Sequence, residues 1–321
     1  MAIPCPPGQR NSVNAGIAVS IIIPTLNTTR LDEAIEGVLA DARGRDDVEV
    51  IVAGLDRFDR RLGFDSVRFI SSGSPVYPGA ARNLGASIAR GQLLVFLDAD
   101  CVPRPGWLNA LERAFSRGAD VVGGSVSFDP EGYWTRADNA GLLHEFLPEW
   151  PRASRKYLAS LNFAIRSKVF AAVSGFDGDL RSAEDLDLTS RLSKQGFNMV
   201  FEPDAVVAHH PSRTGPVDIW RHHFTYGANS AKVRLRHPDN LSAPWLLRWP
   251  LLLAVVAPVV ALATTLRIIC MEPPARIYWS SMPGIYLAKL AWCLSAVRGV
   301  LELQVRPDRP APISVSSSVH V

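Results

Sequence analysis

QLLVFLDADCVP, residues 92–103, is the stretch that decides the fold: an uninterrupted apolar run, Leu93, Leu94, Val95, Phe96 and Leu97, ends abruptly in Asp98 and Asp100 with one alanine between them. A strand covered on both faces of a parallel sheet reads this way, as a continuous apolar run rather than an alternation. Side chains repeat every second residue along an extended chain. Asp98 and Asp100 are therefore expected on one side, just beyond the carboxyl edge of the sheet. In open α/β sheets that edge is where ligands bind. Two neighbouring carboxylates repel each other unless a divalent cation or a ligand donor compensates them. The competing expectation is that they only cap the helix beginning at Pro105.

The flanking chain alternates strands and helices. Upstream, residues 19–23 form a β-branched run stopped by Pro24, and a helix with Leu31, Ile35, Val38, Leu39 and Ala42 at helical spacing follows. Residues 48–53 are a second strand, parallel to the first through a right-handed crossover, and residues 67–70 a third. Pro78 suits the first position of a helix. The small residues of Gly79-Ala-Ala-Arg-Asn-Leu-Gly85 let that helix lie close to the sheet, leaving Arg82 and Asn83 as its long polar groups. Guanidinium suits phosphate, base or carboxylate recognition, although a lone arginine is commonly just a surface residue.

Downstream, a helix is expected over residues 105–117 and a strand over 120–128, where Gly123 and Gly124 imply close approach to the backbone. Residues 130–157 mix aromatics with Arg152, Arg155 and Lys156 and read as a variable insertion beside a site. A strand at 161–165, a helix at 167–173 and the turn Gly175-Phe-Asp177 lead to Glu184-Asp-Leu-Asp-Leu188, which opens another helix. The helix dipole favours acids there. Capping, however, does not need both Glu184 and Asp185. A strand at 198–201, an apolar run at 205–208 and the pair His209 and His210 close the unit. A histidine after a strand is commonly structural, but the upstream Asp-x-Asp makes metal ligation an equal expectation.

At 321 residues the chain can hold one large domain and an appendage, and its net charge of +3 is too small to imply nucleic acid. Cys5, Cys101, Cys270 and Cys293 show no metal-type spacing and fit a reducing compartment. The first 16 residues read as a flexible tail, without the basic and apolar segments of a signal peptide. Residues 216–242 interleave aromatics with Arg and Lys, as a basic amphipathic linker that lies on an anionic membrane surface. Residues 243–303 are expected to be membrane-associated. Within them, residues 249–266 are uncharged and about as long as the shortest bilayer span. The weaker segment at 277–297, with Lys289 in its middle, spans as half of a hairpin or lies in the interface. Residues 304–321 read as a disordered tail.

Taken together, Ser20-Ile-Ile-Ile-Pro-Thr-Leu-Asn27, Pro78-Gly-Ala-Ala-Arg-Asn-Leu-Gly85, Phe96-Leu-Asp-Ala-Asp100, Gly175-Phe-Asp177, Glu184-Asp-Leu-Asp-Leu188 and Ala208-His-His-Pro211 make the chain resemble the family 2 glycosyltransferases over roughly residues 18–215. The resemblance implies a GT-A domain at residues 17–215: an α/β fold with a mixed, mainly parallel sheet flanked by helices, here with C-terminal hydrophobic helices. It implies an inverting transfer from a nucleotide-diphosphate sugar to an acceptor hydroxyl, dependent on Mg²⁺ or Mn²⁺. By residue, it implies Pro24, Thr25, Arg82 and Asp98 as donor contacts, Asp100 and His209 as metal ligands, and Asp185 as the general base. Where family members often carry paired aspartates after the second strand, this chain has Ala53-Gly-Leu-Asp56, so Asp56 is expected to contact the donor from a shifted position. No Gln-x-x-Arg-Trp follows the acidic pair, which favours non-processive transfer. The expected location is the cell membrane with the catalytic domain facing the cytoplasm, and the expected acceptor is lipid-linked or membrane-delivered. Two rival readings stand beside this one: a haloacid dehalogenase-type phosphatase with Asp98 as nucleophile, and an inactive sugar-nucleotide-binding membrane scaffold. Against the phosphatase, several βα units precede the motif; against the scaffold, Asp100, Asp185 and His209 are intact.

Overall fold

The structure, a computed structural model, describes residues 17–58, 64, 66–128, 132–238 and 245–305. The expected tails at 1–16 and from 306 onward, and the end of the expected linker at 239–242, lie outside the described residues.

The sheet starts with four parallel strands, β1 (Val19–Leu26), β2 (Val48–Leu55), β3 (Val67–Ser71) and β4 (Leu93–Leu97), in the spatial order β3-β2-β1-β4. Helices α1 (Leu31–Asp41) and α2 (Pro78–Ser87) make the crossovers. The chain then passes through β5 (Cys101–Pro103), α3 (Trp107–Ser116), β6 (Val121–Ser127), α4 (Tyr133–Leu143), β7 (Ala153–Ser154), β8 (Asn162–Arg166), α5 (Ser167–Ala172), α6 (Glu184–Lys194) and β9 (Met199–His209). Strand β8 runs antiparallel between β4 and β6, and β9 pairs parallel with β6 and antiparallel with β5. The two longest ladders, β1 with β2 and β6 with β9, are parallel, so the mixed, mainly parallel architecture expected from the sequence is the one observed. Strand β4 is central, which is why it reads as an unbroken apolar run: Leu94, Val95, Phe96 and Leu97 are all buried. Phe96 packs against Phe163, Phe170 and Phe176.

Several boundaries differ from expectation for identifiable reasons. Strand β1 continues through Pro24, because its ladder to β4 ends at Ile22 and Phe96 and no partner there needs the missing N–H. The runs at 198–201 and 205–208 are one strand, β9, whose register to β6 shifts between Gly124 and Ser125 to absorb Pro203 and Asp204. The close approach at Gly123 and Gly124 comes from the chain itself: a Cβ would meet Leu158 at one and Asn162 at the other.

The stretch read as a linker begins with α7 (Pro216–Arg236), a helix with Ile219, His223 and Ser230 buried. It is followed by α8 (Pro250–Met271) and α9 (Met282–Val305). Helix α9 lies between α7 and α8. Gly227 and Gly299 let the α7 and α9 backbones touch, since a Cβ at either would fall 2.4 Å from a carbonyl oxygen on the other helix. Residues 304 and 305 belong to α9 rather than to the tail. Two helical stretches, Pro250–Met271 and Pro273–Gln304, are long and apolar enough to cross a membrane, with mean hydropathies of 2.3 and 1.3.

Helix α2 packs tightly on the sheet at Gly85, beside Ile22 and Ala53. At the carboxyl end of β2, Gly54 has φ 130°, and a Cβ there would lie 2.1 Å from the Thr25 carbonyl oxygen. Gly54→Ala is therefore expected to cost about 1–3 kcal/mol through backbone strain alone and to displace Thr25. A thermal melt checks the first effect, and weakened nucleotide binding the second.

Candidate active site

A cavity of about 890 Å³ opens at the carboxyl edge of the sheet, lined by the end of β1, by Arg82, Asp98 and Asp100, by the start of α6, and by residues of α7, α8 and α9. Strand β4 stops at Leu97, and Asp98 to Asp100 form a tight turn closed by the Cys101 N–H donating to the Asp98 carbonyl at 3.0 Å. Both carboxylates reach the cavity, as expected, but from this turn rather than from an extended strand.

The chain continues into β5, where Cys101 pairs with His209 in the antiparallel ladder. That pairing brings two residues far apart in sequence together: His209 Nε2 lies 3.6 Å from Asp100 Oδ2. The other ring nitrogen, Nδ1, hydrogen-bonds Asn139 Oδ1 at 2.7 Å and so carries the proton. Nε2 is left facing Asp100, where it is a charged neighbour of the carboxylate when the ring is protonated and is free to ligate a metal when it is not. Burial opposes ionisation of Asp100, but His209 and Arg213 outweigh it and hold the carboxyl well below the usual range. His210 gives its backbone N–H to the Asp100 carbonyl. Burial pushes the Cys101 thiol well up, so it stays protonated beside the pair. One ionised carboxylate and one oriented imidazole make a donor pair suited to a divalent transition-type cation.

Arg82 is only 2% exposed. Its Nη2 binds Asp98 at 2.5 Å, its Nη1 binds Glu184 at 2.6 Å, and its guanidinium lies over the Phe176 ring. This corrects the picture of a surface arginine. Both terminal nitrogens are engaged by carboxylates, so within the fold Arg82 holds Asp98 and the α6 N-terminus in place. Removing it leaves two carboxylates without their partner, one of them buried. Arg82→Met is expected to cost about 3–5 kcal/mol, measured by chemical denaturation.

The acidic cluster at the start of α6 is divided among partners. Glu184 goes to Arg82, while Asp187 pairs with Arg191 and His237. Asp185 takes the Leu186 N–H at 2.7 Å on one oxygen and the Tyr157 hydroxyl at 3.0 Å on the other. Helix capping thus accounts for one oxygen of one residue. Burial, then the Glu184 charge, push the Asp185 carboxyl up to about 7. Ala183, which precedes α6, has φ 65°, a strained conformation for a residue with a Cβ and one that collects at functional sites.

Pro24 and Thr25 line the cavity at the end of β1. Thr25 Oγ1 is buried with no hydrogen-bond partner, an unsatisfied polar atom on a residue that lines the cavity. Asp56 does not reach the main cavity. It lies in a smaller adjoining one of about 280 Å³, with Thr25, Gly54 and Ser71.

A second buried cluster has no counterpart among the sequence motifs. Asp138 of α4 accepts from Arg213 Nε at 2.6 Å, and the same carboxylate meets His222 at 3.2 Å and His223 at 3.0 Å. Burial, which outweighs the opposing pull of Asp138, leaves His223 lowered to about 4 and hence neutral. With Arg213 in place, the cluster is charge-satisfied and positions that guanidinium near Asp100. The available signal was the polar pair Asp138-Asn139 in an otherwise apolar turn of α4. Tyr157 likewise escapes a reading of the sequence; it packs edge-to-face with Phe146 and reaches Asp185 from the insertion.

Residues 20–176 match the model of glycosyl transferase family 2. The pre-mycofactocin glycosyltransferase of Mycobacterium tuberculosis is 33% identical over 184 residues, 55% of this chain and 39% of its own length. The chain thus spans about two fifths of that relative. Glycosyltransferase AglE of Haloferax volcanii is 27% identical over 205 residues, 61% of this chain and 67% of its own. Among solved structures, the mannosyltransferase PcManGT from Pyrobaculum calidifontis, in complex with GDP-Man and Mn²⁺, superimposes with a TM-score of 0.55 over 86% of each chain at 19% identity, a likeness of fold.

Proposed function

Residues 20–176 belong to glycosyltransferase family 2, and on that premise we propose that the chain is an inverting, non-processive glycosyltransferase that moves a sugar from a nucleotide-diphosphate donor to an acceptor hydroxyl at a membrane. One arrangement supports this most: the Asp100–His209 pair and the buried Asp185, with its raised pKa, line the same cavity at the carboxyl edge of the sheet. The phosphatase alternative fares worse, because Asp98 is held by Arg82 and the family match lies elsewhere.

In this reading the nucleotide lies against Pro24 and Thr25, whose unpartnered hydroxyl it satisfies, and Asp98 contacts the ribose or the sugar. Asp100 and His209 Nε2 hold the divalent cation. A mixed oxygen and nitrogen pair suits Mn²⁺ better than Mg²⁺, which prefers oxygen. The cation, when bound, neutralises charge on the departing diphosphate. Arg213 adds positive charge beside Asp100. Asp185 removes the proton from the acceptor hydroxyl as its oxygen bonds to the anomeric carbon. The bond from that carbon to the diphosphate oxygen breaks on the opposite face, its electron pair leaving with the nucleoside diphosphate. Configuration inverts. Tyr157 donates to Asp185 and orients it, and Glu184 keeps its pKa high enough to accept a proton. Arg82, assigned by resemblance to the donor, serves here by fixing Asp98 and Glu184. Asp56 sits too far round the β2 edge to share the main cavity, and its route to the donor is from Thr25's side. The apolar helices attach the domain to the cell membrane with its catalytic face to the cytoplasm.

A panel of nucleotide sugars, incubated with the full chain, MnCl₂ and a membrane lipid extract, tests the proposal. Transfer of one sugar with inverted configuration is expected, and binding without turnover on any acceptor would sink the enzymatic reading. Because Asp185 must be ionised to act, transfer is expected to rise with pH to a plateau above about 7. A pH-independent kcat between about 5.5 and about 8.5 would count against this base.

A further inference from the structure

We propose that α8 and α9 do not cross the bilayer: α8 lies in the plane of one anionic leaflet with its outward strip in lipid, and both of its ends stay on the side of the catalytic domain. This rests on the membrane attachment proposed above and specifies its form.

By length and hydropathy alone the two helices fit a spanning hairpin. Their packing does not. The Gly284 N–H of α9 donates to the Tyr133 hydroxyl of α4 at 3.0 Å, and Lys289 Nζ donates to the Gly141 carbonyl of α4 at 2.5 Å. Further along, the Ser295 hydroxyl donates to the Phe224 carbonyl of α7, Gly299 lies against the Ala228 backbone, and Lys232 of α7 pairs with Glu302 at 2.6 Å. These ties cover residues 284–302, about 27 Å of helix, against a hydrocarbon core of about 30 Å. A spanning α9 would carry α4 and α7 to the same depth, and with them Asp138, His222, His223 and the Lys232–Glu302 pair. Charged groups in hydrocarbon are costly.

Helix α8 is constrained still more closely. Val260 and Thr264, midway along its 22 residues, line the same cavity as Asp100 and Asp185. If α8 spanned, its middle would sit at the bilayer centre and the cavity would sit there too, out of reach of a water-borne donor that carries two phosphates.

An in-plane α8 removes both conflicts. One face, Leu253, Ala257, Ala261 and Ile268, is buried in the protein, and the strip on the other side, Leu251, Val255, Val259, Leu262 and Leu266, is 41 to 78% exposed. The helix is therefore apolar all round because protein covers one face and acyl chains the other. Exposed Met271 and Ile277 continue the strip. Trp245, Arg248 and Trp249 stand exposed at one end, and Arg276 and Trp279 beyond the other. Indole and guanidinium both favour the headgroup level, so the two ends mark one interface with the strip immersed between them. Neither arginine pairs with a carboxylate among the described residues. Residues 245–305 carry five basic side chains against Glu272 and Glu302, which selects an anionic leaflet.

Cys270, an exposed thiol at the far end of α8, reports the side on which that end lies, because Cys101 and Cys293 are buried. The full chain with Cys5→Ser is treated with a membrane-impermeant maleimide in sealed membrane vesicles of both orientations, and protease digestion locates the catalytic domain. Labelling is expected from the face that carries the domain, and in vesicles of the opposite sense only after detergent. Ser280→Cys, in a chain with Cys5→Ser and Cys270→Ser, is expected to behave alike. Labelling of either position from the opposite face would mean a crossing and overturn the proposal. Protection of both from both faces would mean a re-entrant hairpin and overturn it equally. In a second arm, the purified chain is diluted onto preformed vesicles, where binding to phosphatidylcholine mixed with phosphatidylglycerol is expected to exceed binding to phosphatidylcholine alone by about tenfold or more. Equal binding would remove the anionic leaflet. Val255→Glu/Val259→Glu, checked for folding by a melting curve, is expected to abolish vesicle binding, and unchanged binding would remove the strip as the lipid contact. Recovery of the unaltered chain wholly in the soluble fraction of cells would remove the attachment itself, an outcome distinct from labelling at the far face.

Discussion

Asp185→Asn is expected to lower transfer by about 10² to 10⁴, the worth of a positioned general base, while leaving Mn²⁺-dependent nucleotide binding within a factor of two or so. The substitution keeps the shape: Oδ1 still accepts the Leu186 N–H, and the amide nitrogen that replaces the second oxygen donates to the Tyr157 hydroxyl oxygen instead, so the local structure survives. Only the capacity to take a proton is lost. The same change is expected to stabilise the protein above neutrality. Folding raises the carboxyl from its ordinary value of 3.8 to about 7, so its contribution to stability is complete below 3.8 and is lost as pH rises through 7. The amide carries no such penalty. At pH 8 the variant is expected to be more stable by up to about 4 kcal/mol, since each tenfold change in proton affinity is worth about 1.4 kcal/mol, and the difference is expected to vanish near pH 4. Chemical denaturation at the two pH values measures it. A variant less active yet no more stable at pH 8 would mean that the carboxyl is not held protonated, and a variant with near-normal turnover would remove Asp185 from the chemistry.

Asp100→Ala is expected to abolish the Mn²⁺ dependence of nucleotide diphosphate binding, weakening it by at least about a hundredfold, since a divalent cation on the diphosphate supplies several kcal/mol of charge stabilisation. His209→Ala removes the second donor and is expected to have a similar effect in Mn²⁺. Asn139→Ala takes away the acceptor that orients the ring and is expected to cost about 10- to 100-fold in metal affinity, as for other partners of metal-bound histidines. Titration of Mn²⁺ with the nucleotide present, followed by calorimetry or by the manganese paramagnetic signal, reads all three. Unchanged affinity in Asp100→Ala would detach the cation from the Asp-x-Asp turn.

The two substitutions separate roles that adjacent carboxylates share out by environment. Asp98 is tied to Arg82, Asp100 faces an imidazole, and Asp185 is enclosed beside Glu184. Ionisation is favoured at Asp100 and opposed at Asp185. That contrast suits one cavity to the two roles proposed for it, a carboxylate for a cation and a base that titrates near neutrality.

Local pattern was enough for the first half of the sheet. The apolar run before Asp98 is long and unbroken because β4 is covered on both faces, and the small residues of α2 are small because Ile22 and Ala53 lie against them. The character of α7 was not legible, because its mixture of aromatics and cations fits a surface helix equally well; what buries Ile219 and His223 is contact with α4 and α9, which lie far away in sequence. The burial of Arg82 was hidden for a related reason. Nothing near it in sequence is acidic, and its two carboxylates come from β4's end and from α6.

By itself the sequence determined the α/β class, the edge of the sheet where the site lies, the pairing of apolar C-terminal segments with a catalytic domain, and the residue types available for chemistry. These follow from hydrophobic periodicity and chain-local spacing. Only the tertiary structure decided that His209 faces Asp100, which carboxyl is buried enough to hold its proton near pH 7, and that a single cavity joins them to α8. Those outcomes depend on strand register and on burial, and both are set by contacts between residues that the chain order keeps apart.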